Sequence, residues 1–293
     1  EAMCRTLRLP NHKDKKMVRL LKQFKALEDA LGEMDYYAGL IKDFSALTEL
    51  PEFQRYLESH LTVATEHMNT LLDKYGWLEK EPANDEKTKA KKTKSKELDL
   101  LGKHQKTLNQ IDWLSDKKTQ RLIRKTYQSV LTELKLQMKE PIKEIEQDVH
   151  ELRRDVRWLS IYPQAFKGFI ALKPSKKIPK ALRKYATPEV MQSKYNQLPQ
   201  VDDIKKPLYL NACAYYGMSW FIAELGDIKD DGLRLLALSE WFQEHKKLPA
   251  LQSEQAAILV IGNNQPSIKN LLSKAKKCVK QVRRDQVFDQ LLA

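Results

Sequence analysis

The stretch IKEIEQDVHELRRDVRWL, Ile142 to Leu159, decides how this chain reads. Ile142, Ile145, Val149, Leu152, Val156 and Leu159 recur at spacings of three and four, the period of one inward face of an α-helix. With that stripe turned to a core, at about 100° per residue, His150, Arg153 and Arg157 fall within about 60° of one another. Arg154 lies slightly farther round. One helix therefore carries an apolar face and a compact cationic edge beside it.

The same period runs outward in both directions. Val18, Leu20, Leu21, Phe24 and Leu27 share a face that continues through Leu31, Tyr37 and Ile41. Ser45 to Pro51 reads as a turn. Phe53, Leu57, His60, Leu61 and Ala64 begin a second helix running to about Trp77, with Pro51 in its first turn, where a missing N–H costs little. Residues 80–97, KEPANDEKTKAKKTKSKE, hold seven lysines, four acids and no large apolar residue, the composition of a flexible loop. Helical spacing returns from Leu98 to Leu114 and from Leu122 to Leu134, with Ser115 or Asp116 placed to cap the second of these. Residues 173–189 are shorter and punctuated by proline. A long helix is expected from Leu208 past Gly226 to His245, and a last one from Pro266 or Ser267 to near Leu292. Ile258–Ile261 has strand propensity, but its neighbours favour a short helix. No segment alternates with turn signals at strand spacing, so no sheet is expected.

The chain has 293 residues, and 42% of them are hydrophobic, enough for a packed core. Only 9 glycines argue against a fold built on many tight turns. No long uncharged apolar run is present, so no membrane span is expected, and no secretory leader is visible. Cys4, Cys213 and Cys278 are scattered, which reads as packing thiols in a reducing, cytoplasmic setting. Ala30–Asp35 and Glu224–Asp230 form a weak internal repeat. It implies two related helical bundles, with Gly32 and Gly226 offering close helix approach or a kink. The expected organisation is all-α: residues 1–140 as a first antiparallel bundle and 141–293 as a second.

Lys and Arg number 52 against 39 acids, a net charge of +13 that points to an anionic partner. Besides the His150 helix, the terminal helix brings Lys276, Lys280, Arg283 and Arg284 towards one face, while Ala275, Cys278, Val279 and Val282 face inward. Arg19 and Lys22, flanked by Lys15, Lys16 and Lys25, form a comparable edge near the start. Lys118, Arg121, Arg124 and Lys125 form another. Four such edges lining one groove would reinforce each other's field. Guanidinium forks suit phosphate oxygens, and a protonated His150 would strengthen binding at lower pH. The competing reading of the His150 helix is a surface salt-bridge lattice with Asp148, Glu151 and Asp155.

Enzyme motifs are missing. There is no phosphate loop, no dinucleotide-binding glycine turn and no HExxH. His60 and His67 share a helix face, but packing explains them more economically than a metal site. Glu224, Asp227, Asp230 and Asp231 are candidates for metal-assisted hydrolysis and fit equally well as helix-balancing acids. Tyr215, Tyr216, Trp220 and Phe221 are spaced for a core rather than for base stacking. The expectation is therefore a non-catalytic protein with no cofactor and no metal.

The phrase VHELRRDVRWL, Val149–Leu159, resembles the signature helix of CHAD domains, the conserved histidine α-helical domain family. Leu225–Asp230 is similar to that family's later helix junction, and Ala30–Asp35 to its counterpart in the first half. The resemblance implies two related helical bundles around a basic central cavity, and binding of inorganic polyphosphate by a module often encoded with polyphosphate enzymes. His150, Arg153 and Arg157 would be the signature positions, with Arg154 an addition. The first half departs from the pattern: it has no matching histidine–arginine helix, and Arg5 and Arg8 fit only the tail of one. The reading is a polyanion-binding helical module for polyphosphate. Its alternatives are a nucleic-acid-binding helical module, a scaffold for an acidic protein and a metal-dependent phosphate-processing enzyme. Oligomeric state is not legible.

Overall fold

The computed structural model describes residues 15–77, 116–173, 179–193, 196–198, 204, 206–262 and 264–292. The lysine-rich stretch 80–97, the helix expected over 98–114, and Arg5 and Arg8 lie outside the described residues. The chain divides into two compact units between Ser115 and Asp116.

In the first unit, α1 (Lys15–Asp43) and α2 (Pro51–Tyr75) pack as an antiparallel hairpin. Their facing rows close on Ala30, Leu40, Phe44, Phe53, Leu57 and Ala64, all buried. Aromatic contacts set the register: Phe44 meets Phe53 edge-on at 5.2 Å, and Tyr37 stacks on His60 at 5.0 Å. Pro51 does occupy the first turn of α2. Gly76 ends that helix at φ 71, a left-handed conformation that glycine adopts without steric cost. Gly32 has open space around it rather than a close helix approach.

The second unit is built around one helix. α3 (Asp116–Gln137) is followed by a π-helical turn (Ile145–His150) that runs straight into α4 (Glu151–Ala165). Next come β1 (Ile170–Lys173), a 3₁₀ turn (Lys180–Tyr185), α5 (Pro188–Gln192) and β2 (Leu208–Asn211). The unit ends with α6 (Ala212–Lys246), α7 (Ala250–Ile261) and α8 (Ile268–Arg284). α6 packs against the π turn, α4, the 3₁₀ turn, α7 and α8. Being wrapped on several sides, it is apolar around much of its circumference, with Tyr215, Met218, Phe221, Leu225, Ile228 and Leu235 all inaccessible.

Four expectations need correction. A small parallel sheet exists, pairing Ile170 with Leu208 through to Lys173 with Asn211. Four-residue strands are too short to display alternation, and β2 abuts a helix whose apolar period swamps its own. The long helix accordingly starts at Ala212, where the Asn211 side chain accepts from the N–H groups of Cys213 and Ala214. The last helix stops at Arg284. Residues beyond it fold back, burying Val287, Phe288 and Leu291, and the Asn211 N–H donates to the Leu291 carbonyl at 2.9 Å. α3, expected within a first bundle of residues 1–140, belongs to the second unit. It packs on α4, and the Tyr127 hydroxyl donates to the Leu159 carbonyl at 3.2 Å.

Ile258–Ile261 is helical, as its neighbours dictate. Among the described residues, no helix is long and apolar enough to cross a membrane.

Candidate functional site

The His150 edge is built by the π turn. The Val149 N–H reaches back five residues to the Glu144 carbonyl at 3.2 Å. The Asp148 carboxylate accepts from the N–H groups of Lys143 and Glu144 at 2.6 and 2.9 Å, tying the turn to its approach. Ile142, Ile145, Val149, Leu152, Val156 and Leu159 all turn inward and are buried. The helix runs antiparallel to α6 and meets it at two glycines. A Cβ on Gly232 would lie 2.7 Å from Ile145 Cγ2, and one on Gly226 would lie 3.1 Å from Arg153 Nε. Gly226 therefore provides the close approach its sequence position suggested, and what it admits is the Arg153 side chain.

Arg153 thus lies half-buried over α6, with its Nε out of solvent. Arg154 is ion-paired with Glu151 one turn back. His150 is half-buried, and Lys229 of α6 joins Arg153 and Arg154 around it. Loss of water, then the positive charges of Lys229, Arg154 and Arg153, hold its imidazole below the ordinary value, against an opposite pull from Glu146. The ring is therefore neutral at neutral pH. Arg157, one turn farther on, is exposed, and among the described residues no acid pairs with it. His150, Arg153 and Arg154 are brought together with Lys229, while Arg157 stands apart in solvent. Part of the salt-bridge lattice is present as Glu151–Arg154, whereas Asp148 is occupied with backbone.

α8 is different. Leu271, Ala275, Cys278, Val279 and Val282 face the core and are buried. Ser267 caps its start, accepting from the Asn270 N–H at 3.3 Å, and Glu254 accepts from the Ile268 N–H at 2.8 Å. Its far end is anchored by Asp285. The Tyr185 hydroxyl and the Lys184 ammonium each approach the Asp285 carboxylate at 2.6 Å. Burial pushes the Asp285 carboxyl up, but the bonds from Lys184, Tyr185 and Arg284 outweigh it and hold the group below the ordinary carboxylate range. Burial raises the Cys278 thiol to about 11, helped by the charge of Glu224, so it stays protonated and packs. The outer face of α8 exposes Lys276, Lys280, Arg283 and Arg284. Lys274, part of the same basic run, is instead paired with Glu224 at 3.3 Å.

That face borders a cavity of about 690 Å³. Lys276, Lys280, Arg283 and Arg284 of α8 line it together with Lys139, from the turn after α3. Among the described residues, no carboxylate pairs with Lys139, Lys276, Lys280 or Arg283, and Glu140 is the one acid in the lining. Met138, Pro141, Ile142 and Val279 supply its apolar part. Lys139 and Lys229 were missed in the sequence: neither belongs to a basic run, and only the fold carries them to the cations they join.

Arg19 and Lys22 are exposed on α1 of the first unit. Lys118, Arg121, Arg124 and Lys125 lie on α3 of the second. Among the described residues, no three His, Cys, Asp or Glu side chains are grouped to hold a metal ion. His67 lies 3.7 Å from Glu33, and His60 is held in the aromatic stack with Tyr37. No protein-family model, curated protein or solved structure matches the chain.

Proposed function

We propose that this chain binds inorganic polyphosphate, or a closely similar polyanion, by electrostatic capture without turnover. The observation that carries the reading is the α8 face: four exposed cations, three of them without an acid partner among the described residues, with Lys139 in the same lining. Four of these positions, 276, 280, 283 and 284, lie within about 100° of helix rotation and span about 12 Å of helix axis. That row matches a linear anion better than a single small one. Lys and Arg held at this spacing gain by releasing counterions when several phosphates dock at once. Arg157 and the group around His150 extend the same unit's positive field. The resemblance of Val149–Leu159 to the CHAD signature helix favours polyphosphate over other polyanions, and the protonated, buried Cys278 suits a cytoplasmic setting.

The test is a salt-matched competition between long-chain polyphosphate and single-stranded RNA on the full chain, repeated with Lys280→Ala/Arg283→Ala. Polyphosphate is expected to displace RNA, and the double variant to lose at least tenfold in polyphosphate affinity. Preference for RNA would reject the proposed ligand and leave a nucleic-acid binder.

A further inference from the structure

We infer that the cavity beside α8 is a nucleotide site, taking a nucleoside triphosphate with its phosphates on the α8 cations and its base against the apolar part of the lining. The inference rests on the cationic face described above and adds a specific small-molecule ligand to it. A bare phosphate chain needs only charge, yet this cavity is not lined by charge alone. Pro141, which is exposed, and the edges of the otherwise buried Met138, Ile142 and Val279 belong to the same lining as Lys139 and the α8 cations. Strongly hydrated phosphate oxygens gain nothing there. A flat organic group laid on those apolar atoms gains about 25 cal/mol for each Å² of apolar surface removed from water.

The size agrees. At about 690 Å³ the cavity is far larger than one phosphate ion requires, and it lies within the range of about 300–1,000 Å³ typical of small-molecule sites. The cationic row from Lys276 to Arg284 extends about 12 Å along the helix axis, comparable with an extended triphosphate. The two ends differ in chemistry. Lys276 and Lys280 are compact ammonium charges, suited to terminal phosphate oxygens. Arg283 and Arg284 carry planar guanidinium groups, which also stack on flat rings. Asp285 holds Arg284 by its Nε at 3.3 Å, so that guanidinium is partly fixed before any ligand arrives.

The experiment is calorimetric titration of the full chain with ATP, inorganic tripolyphosphate and adenosine at matched ionic strength, without added metal. ATP is expected to bind at least tenfold more tightly than tripolyphosphate, and adenosine to bind weakly. Lys280→Ala/Arg283→Ala should weaken ATP at least tenfold. Pro141→Ser, at an exposed position, and Met138→Ala, checked for folding by circular dichroism, should shrink the advantage of ATP over tripolyphosphate while leaving tripolyphosphate unchanged. Equal affinity for ATP and tripolyphosphate overturns the nucleotide site. So does ATP binding that survives the double variant. Long polyphosphate lost in the double variant with no preference for ATP would leave the polyanion reading standing and this one refuted. A strong ATP preference with no polyphosphate affinity would do the reverse.

Discussion

Two cationic surfaces of the second unit make different use of similar residues. On α4, Arg153 is laid into the α6 interface over Gly226, Arg154 is tied to Glu151, and His150 is half-buried and held neutral. On α8, Lys276, Lys280 and Arg283 project from a helix whose opposite side is fully committed to the core, and no acid among the described residues answers them. On the first surface the charges are half-buried against α6, paired within α4 or neutralised. The second leaves them in water, where a ligand can exchange their counterions. Sequence alone ranks the surfaces the other way, because the His150 phrase is the sharper motif.

The largest expected difference is in binding. Neutralising Lys276, Lys280 and Arg283 together should weaken polyphosphate by about a hundredfold, roughly 2.7 kcal/mol. It should shift stability by no more than about 0.5 kcal/mol, because exposed positions carry little folding energy. Filter binding and chemical denaturation measure the two effects. Gly232→Ala should show the opposite profile. Its new Cβ meets the buried Ile145 at 2.7 Å, so about 1–3 kcal/mol of stability should go, with the polyphosphate affinity of the folded protein unchanged.

Asp285→Asn should cost on the order of 1–3 kcal/mol by weakening its bonds to Lys184 and Tyr185. The pH dependence has a definite sign. The folded-state carboxyl is depressed, so its stabilisation is fully present above the ordinary value of about 3.9 and is lost as pH falls through the lower folded value. Acid melts of the variant should lack that slope. His150 also has a depressed folded value, but here the neutral form is favoured. Its contribution is complete above about pH 6.5 and shrinks as pH falls below that, when the unfolded ring takes up a proton first. His150→Gln should flatten the stability profile in that window. An anion bound beside the ring would oppose this loss, so ligand should protect the native protein more at about pH 6 than at about pH 8.

The smallest effect is expected at Arg157, where Arg157→Gln should change polyphosphate affinity about twofold and stability hardly at all. A loss as large as that of the α8 variant would invert the comparison and restore the α4 edge as the principal site.

Among the described residues, helices were legible where one face repeats at three and four, as from Ile145 to Leu159, because burial enforces that period, although Ile142 to Glu144 lie before the helix begins. The two strands were not, since four residues between helix-rich neighbours carry too little pattern. The end of α8 was misplaced because Val287, Phe288 and Leu291 continue the apolar count although the chain has already turned back. At the candidate site, Lys276, Lys280 and Arg283 could be read off one helix. Lys139 and Lys229 could not, because their neighbours across space come from segments far away in sequence. Nor could Arg153's fate: the helical wheel places it at an edge, and only the absent side chain of Gly226 decides that the edge faces protein.

The most direct test is the polyphosphate dissociation constant of Lys276→Ala/Lys280→Ala/Arg283→Ala beside that of Arg153→Ala/Arg157→Ala, both in the full chain at one ionic strength. The account predicts a loss near a hundredfold for the α8 triple variant and a far smaller one for the α4 pair. Undiminished binding by the α8 triple variant would contradict it.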